Sequence, residues 1–148
     1  MGEVDDVVIR SATGVDAPAV LELWAAADAA PSVTDDVESI ERLVRWDAAG
    51  LLLACVDNRV VGSLVAVWDG WRGNMYRLAV HPDFRRRGTA RALVDAGEQR
   101  LRTHGARRVT ALVLREHDEA VGFWRAAGYD PDPRIDRYVV AFEPGPAG

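Results

Sequence analysis

Apolar positions along this chain switch between a period near 3.6 and a period of 2, and the switches mark its elements. Val7-Val8-Ile9 predicts a first strand over residues 7–10. Val20, Leu21 and Trp24 then share one helical face, predicting a helix over 16–29 capped by Ser11 or Thr13 and stopped by Pro31. Val37, Ile40, Leu43 and Val44 repeat that spacing behind the capping run Thr34-Asp35-Asp36, in a helix ending near Gly50. An apolar run over 51–56, the turn Asp57-Asn58-Arg59 and a second run over 60–68 predict a hairpin. Asp69-Gly70-Trp71-Arg72-Gly73 is a further turn before a strand over 74–80. Helical spacing returns with Leu93, Val94 and Leu101, for a helix from about 87 to 104 that Gly105 stops. A strand over 108–114 follows. His117 or Asp118 opens a helix ending at Ala127 with Gly128 as its cap, and residues 137–142 read as a final strand before a fraying tail, 143–148.

The order is strand, two helices, three antiparallel strands, helix, strand, helix, strand. A strand–helix–strand crossover makes the strands flanking the long helix parallel neighbours. The fold class is therefore α/β, a mixed and mostly antiparallel sheet with helices on both faces. A length of 148 residues suits a single domain, 1–148, without internal repeat or linker.

Composition narrows the function. Hydrophobic residues make up 49% and charged residues 28%, an ordinary globular balance. No apolar run reaches the ~18 residues of a membrane span. The acidic start (Glu3, Asp5, Asp6) is unlike a secretion signal, so a cytoplasmic protein is expected. Cys55 is the sole cysteine, which excludes an intrachain disulfide and disfavours a cysteine-based metal site; it falls inside a predicted strand as a core residue. A net charge of −5 argues against a nucleic-acid partner.

Against this acidic background one basic cluster stands out. Leu78-Ala79-Val80-His81-Pro82 ends a strand, Arg85-Arg86-Arg87-Gly88-Thr89-Ala90-Arg91 makes a turn, and a helix begins. The free N–H groups of a helix N-terminus and its dipole favour an anion, and Gly88 and Ala90 leave room for a phosphate beside the main chain. No Gly-Lys-Ser/Thr follows the turn and no Gly-x-Gly-x-x-Gly follows a strand, so nucleotide triphosphates and dinucleotides are poor ligands.

Arg85-x-x-Gly88-x-Ala90 resembles the pyrophosphate signature of the GNAT superfamily of acetyl-CoA-dependent N-acetyltransferases. His117-x-x-Ala120-x-x-Phe123-Trp124-x-x-x-Gly128-Tyr129 resembles that family's second CoA-side motif. The resemblance extends over about residues 7–142. It implies a splay between the strands 74–80 and 108–114 that receives the acetyl group. Amides near Leu78, Ala79 and Val80 would bond the pantetheine and thioester. Those of Arg86, Arg87, Gly88, Thr89, Ala90 and Arg91 would hold the pyrophosphate, with Arg85, Arg87 or Arg91 adding charge. His117, Ala120, Phe123 and Trp124 would contact the pantetheine side.

Two departures bear on chemistry. His117 replaces the usual Asn, and Trp124 stands where many members have a Tyr that protonates the departing thiolate; an indole N–H cannot do that. Tyr129 and Tyr138 are substitute acids or packing residues. Some members carry a Glu on the fourth strand as base; here Asn74, holding a water, or Asp69 or Glu116 are the alternatives. The candidate catalytic pair is Asn74 and Tyr129. The acceptor side offers Trp24, Asp28, Asp35, Asp36, Glu38 and Trp46, either as a cation-binding wall or as solvated helix faces. The expected cosubstrate is acetyl-CoA without a metal. The acceptor is a small amine, an amino acid or a peptide N-terminus, and the resemblance makes a homodimer the expected assembly. The alternatives are a CoA-binding protein without turnover and an enzyme acetylating aminoacyl-tRNA.

Overall fold

The computed structural model describes residues 6–145. Glu3, Asp5 and the last three residues of the expected tail lie outside them.

A short edge strand, β1 (Val8–Ser11), leads through a 3-10 turn to the first helix, α1 (Ala17–Ala26). Thr13 and Asp16 close a reciprocal capping box there, and Arg10 grips both Asp16 oxygens at 2.8 Å. The second helix, α2 (Val37–Trp46), is capped by Asp36, whose carboxylate accepts from the Ser39 N–H at 2.7 Å. β2 (Leu51–Val56) and β3 (Arg59–Trp68) follow, joined through Asp57 and Asn58, both left-handed at φ 48 and 65. Two such residues in a two-residue loop match the twist of the strands they join. β4 (Gly73–Val80), α3 (Thr89–His104), β5 (Val109–Ala111) and α4 (Asp118–Ala126) complete the regular elements.

The sheet runs in chain order, β1-β2-β3-β4-β5, antiparallel up to β4 and parallel between β4 and β5. Alternation divides β2 between two cores. Leu51, Leu53 and Cys55 pack with Val20, Leu23 and Ile40 of α1 and α2, while Leu52, Ala54 and Val56 pack with Leu93, Val94 and Leu101 of α3. Helix α3 lies hard against the sheet because Gly97 has no side chain: a Cβ there would stand 3.0 Å from Leu64 and Met75 carbons. Among the described residues no helix is long and apolar enough to cross a membrane.

Several expected boundaries move. The helix expected over 16–29 ends at Ala26, and Asp28 turns left-handed at φ 55 before Pro31 is reached. The long helix starts at Thr89 rather than 87, because left-handed Gly88 occupies its N-cap. The strand expected over 108–114 pairs only over Val109–Ala111. The final strand expected over 137–142 is not formed: the segment has no regular structure, and Tyr138, Val139, Val140 and Phe142 are exposed. Its pattern suits a strand, but a strand exists only through a partner, and no ladder reaches it.

Candidate active site

The site is built where β4 leaves the sheet. Parallel pairing of β4 with β5 stops at Met75, whose carbonyl accepts from the Leu112 N–H at 3.1 Å. Beyond that point β4 runs on alone on this side, through Tyr76 to Val80. The His81 N–H returns to β3, donating to Val61 at 2.8 Å. Alternation then turns the N–H and C=O of Leu78 and Val80 to the open side. The Val80 carbonyl confirms this direction by accepting from Arg85 Nε at 3.2 Å.

The chain next makes a 3-10 turn over Pro82–Phe84, capped by the His81 ring, which accepts from the Asp83 N–H. Phe84 lies between two guanidinium groups, Arg59 at 5.3 Å and Arg87 at 5.1 Å from the ring centroid. Arg86 and Gly88 are both left-handed, at φ 63 and 79. Alternation of hand folds the main-chain N–H groups into a concave nest. The nest opens on the N-terminus of α3, which has no side-chain cap. A Cβ on Gly88 would meet nothing within 4 Å, so space stands open above the main chain. The Thr89 hydroxyl is the one buried side-chain polar atom without a partner among the described residues. An anion at this point would meet free N–H groups, an orphaned hydroxyl and three neighbouring arginines. These residues fit a pyrophosphate.

A groove connects this cradle to the open edge of β4. It is lined by Gly88 and Ala90 from the cradle, Tyr76 and Val80 from β4, and Val113 and Phe123 beyond β5. On its far side stand Trp24, Asp28, Asp35 and Trp46. Asp36 and Glu38 have other employment: Asp36 caps α2, and Glu38 pairs with Arg42 on the exposed helix face.

The structure therefore gathers Leu78, Ala79, Val80, Arg85, Arg86, Gly88, Thr89, Ala90 and Arg91 along the groove, with Arg91 Nε already bonded to Asp95 at 3.1 Å. Arg87 is not part of the lining and lies over the Phe84 ring. His117 caps α4, its ring accepting from the Ala120 N–H at 3.1 Å. Trp124 is buried against Phe123 and Tyr129, with the Tyr129 ring 4.8 Å away and nearly perpendicular. Asn74 lies at the paired end of β4, opposite Thr110, and donates to Asp69 at 3.3 Å. Asp69 itself accepts from the N–H groups of Arg72 and Trp71, which hold its carboxyl below the usual range. It organises the β3–β4 turn. Tyr129 donates to Glu98 at 2.8 Å, and burial together with that carboxylate raises its pKa. Tyr138 is exposed. Among the described residues no three His, Cys, Asp or Glu side chains gather as a metal-binding set.

Two groups at the site escaped the sequence reading. Ser63 and Arg77 meet beneath the open stretch of β4, with the Ser63 hydroxyl donating to the Arg77 carbonyl at 2.8 Å. The signal available was a single hydroxyl in an otherwise apolar strand and a lone charge inside the next one.

Comparison with known proteins agrees with this geometry. The model of the acetyltransferase (GNAT) family matches residues 18–129. An acetyltransferase of Pectobacterium atrosepticum is 36% identical over 115 residues, covering 78% of this chain and 82% of that protein. The crystal structure of Ard1 from Thermoplasma volcanium superposes with a TM-score of 0.74 at 24% identity, covering 82% of this chain and 81% of that one. The PaiA N-acetyltransferase of Thermoplasma acidophilum, solved with coenzyme A, gives a TM-score of 0.73 at 15% identity, covering 86% and 94%. A splayed β4–β5 pair, an uncapped α3 behind an arginine-rich nest and a family match over most of the sheet lead to one assignment: this chain belongs to the GNAT family of acetyltransferases.

Proposed function

We propose that the protein transfers the acetyl group of acetyl-CoA to a primary amine by direct attack within a ternary complex. The observation that carries this reading is the continuity of the anion cradle at Gly88 with the open edge of β4. The cradle would hold the pyrophosphate through the main chain of residues 86–91, with Arg85 or Arg87 supplying charge. The Leu78 and Val80 N–H groups would donate to the pantetheine arm and to the thioester oxygen as it gains charge. The amine arrives from the side of Trp24 and Tyr76 and must first lose a proton, since an alkylammonium has a pKa around 10. No enzyme nucleophile is needed, and Cys55 is buried in β2.

Neither Trp124 nor Tyr129 stands ready as an acid for the thiolate: Trp124 is packed and Tyr129 is bonded to Glu98. A thiol of pKa around 8.5 leaves without much help, so turnover is compatible with this arrangement. The same observation favours the second reading, a CoA-binding protein with little turnover.

Calorimetric titration with acetyl-CoA, with ADP as control, tests the reading. Micromolar binding that ADP does not match is expected, followed by CoA release when an amine panel is screened. Absence of binding would overturn the acetyl-CoA assignment; binding without release for any amine would select the second reading.

A further inference from the structure

The ladder between β3 and β4 slips at one point. Val65 pairs with Tyr76 and Ser63 with Ala79, so Leu64 faces both Arg77 and Leu78. Two residues opposite one make a β-bulge. Arg77 takes the strain of it, left-handed at φ 53 although it is not glycine.

The Arg77 carbonyl and guanidinium both have partners. The slip removes the Arg77 carbonyl from the ladder, and Ser63 Oγ donates to it at 2.8 Å. The same oxygen accepts from the Trp24 indole N–H at 2.9 Å. The Arg77 guanidinium lies over the Trp24 ring, 4.8 Å from its centroid, and donates to both oxygens of Asp35 at 2.8 and 3.1 Å. Ser63 is fully buried and Trp24 nearly so. A hydroxyl that accepts one buried donor and satisfies one buried acceptor cannot be deleted without leaving both unpaired.

We propose that Ser63 is a positioning residue for the acyl donor: held by Trp24, its hydroxyl locks the bulge at Arg77 and so turns the Leu78 and Val80 amides into the groove. Without it the simplest relief is for the bulge to move or flatten. A shift of one residue would turn the groups that face the groove toward β3 instead. The statement about the donor rests on the acetyl-CoA reading; the statement about the bulge does not.

Two measurements on Ser63→Ala separate these. In the ligand-free protein, the amide protons that face β3 beyond the bulge, those of Ala79 and His81, should exchange at least about tenfold faster, while those of β2 keep their protection. Coenzyme A should bind about tenfold more weakly, whereas ADP, which probes the cradle alone, should bind as to the parent. Unchanged exchange at Ala79 and His81 would overturn the proposal whatever the chain binds, and equal losses for CoA and ADP would show a merely structural serine. If the parent protein binds no CoA, the acetyl-CoA reading falls and the exchange data still decide the role of Ser63. Arg77→Gly supplies the complement, since glycine takes the left-handed conformation freely while the guanidinium contacts are lost. It should keep CoA affinity within about threefold; a loss as large as that of Ser63→Ala would assign the positioning to the arginine side chain and overturn the proposal. Should Ser63→Ala fail to fold, Trp24→Phe breaks the same relay with most of the ring retained, and the same exchange and affinity criteria apply.

Discussion

The Tyr129 hydroxyl donates to the Glu98 carboxylate at 2.8 Å, tying the residue after the α4 cap to the second half of α3. Burial and the carboxylate both disfavour the phenolate. The bond secures the α4 side of the groove and spends the one proton that Tyr129 could give to a thiolate.

Tyr129→Phe should therefore cost stability more than rate. A drop of about 1 kcal/mol in denaturant unfolding is expected, the worth of one hydrogen bond, with kcat within about threefold of the parent. A hundredfold loss of kcat at unchanged stability would instead make Tyr129 the proton donor.

Gly88→Glu should abolish acetyl-CoA binding in calorimetry. The substitution forces a side chain onto a residue at φ 79 and sets a negative charge where the pyrophosphate belongs. Gly88→Ala adds strain without the charge, and should weaken binding by a smaller factor. Parent-like affinity in Gly88→Glu would sink the cradle assignment.

Acid stability should depend on Asp16. Its bond from Arg10, reinforced by the Thr13 N–H, lowers its pKa from 3.8 to about 2. A carboxyl with a depressed folded-state pKa stabilises above its unfolded value, and the gain fades as pH falls from about 4 to about 2. With Arg10 still 40% exposed the effect should be roughly 1–2 kcal/mol. Urea unfolding of the parent and of Asp16→Asn across this range should show curves that converge at the acid end. Parallel curves would remove Asp16 from the acid limb.

Gly97→Val should destabilise by about 1–3 kcal/mol through overpacking, because the added carbons enter the space of Leu64 and Met75. Gly122, on α4, is the control: a Cβ added there would meet nothing within 4 Å. Gly122→Ala should be neutral or slightly stabilising in the same thermal melt.

The sequence was most readable where local chemistry decides structure. Leu51 to Val56 is a strand over every residue expected, since six apolar residues between two turns have few alternatives. Gly105 and Gly128 end their helices left-handed, as glycine caps should. The cradle was legible because its parts are consecutive. The residues that set the bulge were not, because Trp24, Ser63 and Arg77 meet only after three elements have packed. The segment 137–142 failed for a related reason: its apolar alternation encodes a capacity to pair, and pairing depends on an edge elsewhere.

The chain-order arrangement of the sheet also bears on how the molecule is made. β2, β3 and β4 follow one another through short turns, so their pairing closes small loops and should come early. β5 can join only after the whole of α3 has been synthesised and folded back across the sheet. During translation residues 51–80 can leave the ribosome and form their meander before β5 exists. The groove thus lies along a seam between an early-folding unit and a late one, and its opening is the place where the second stops short of the first.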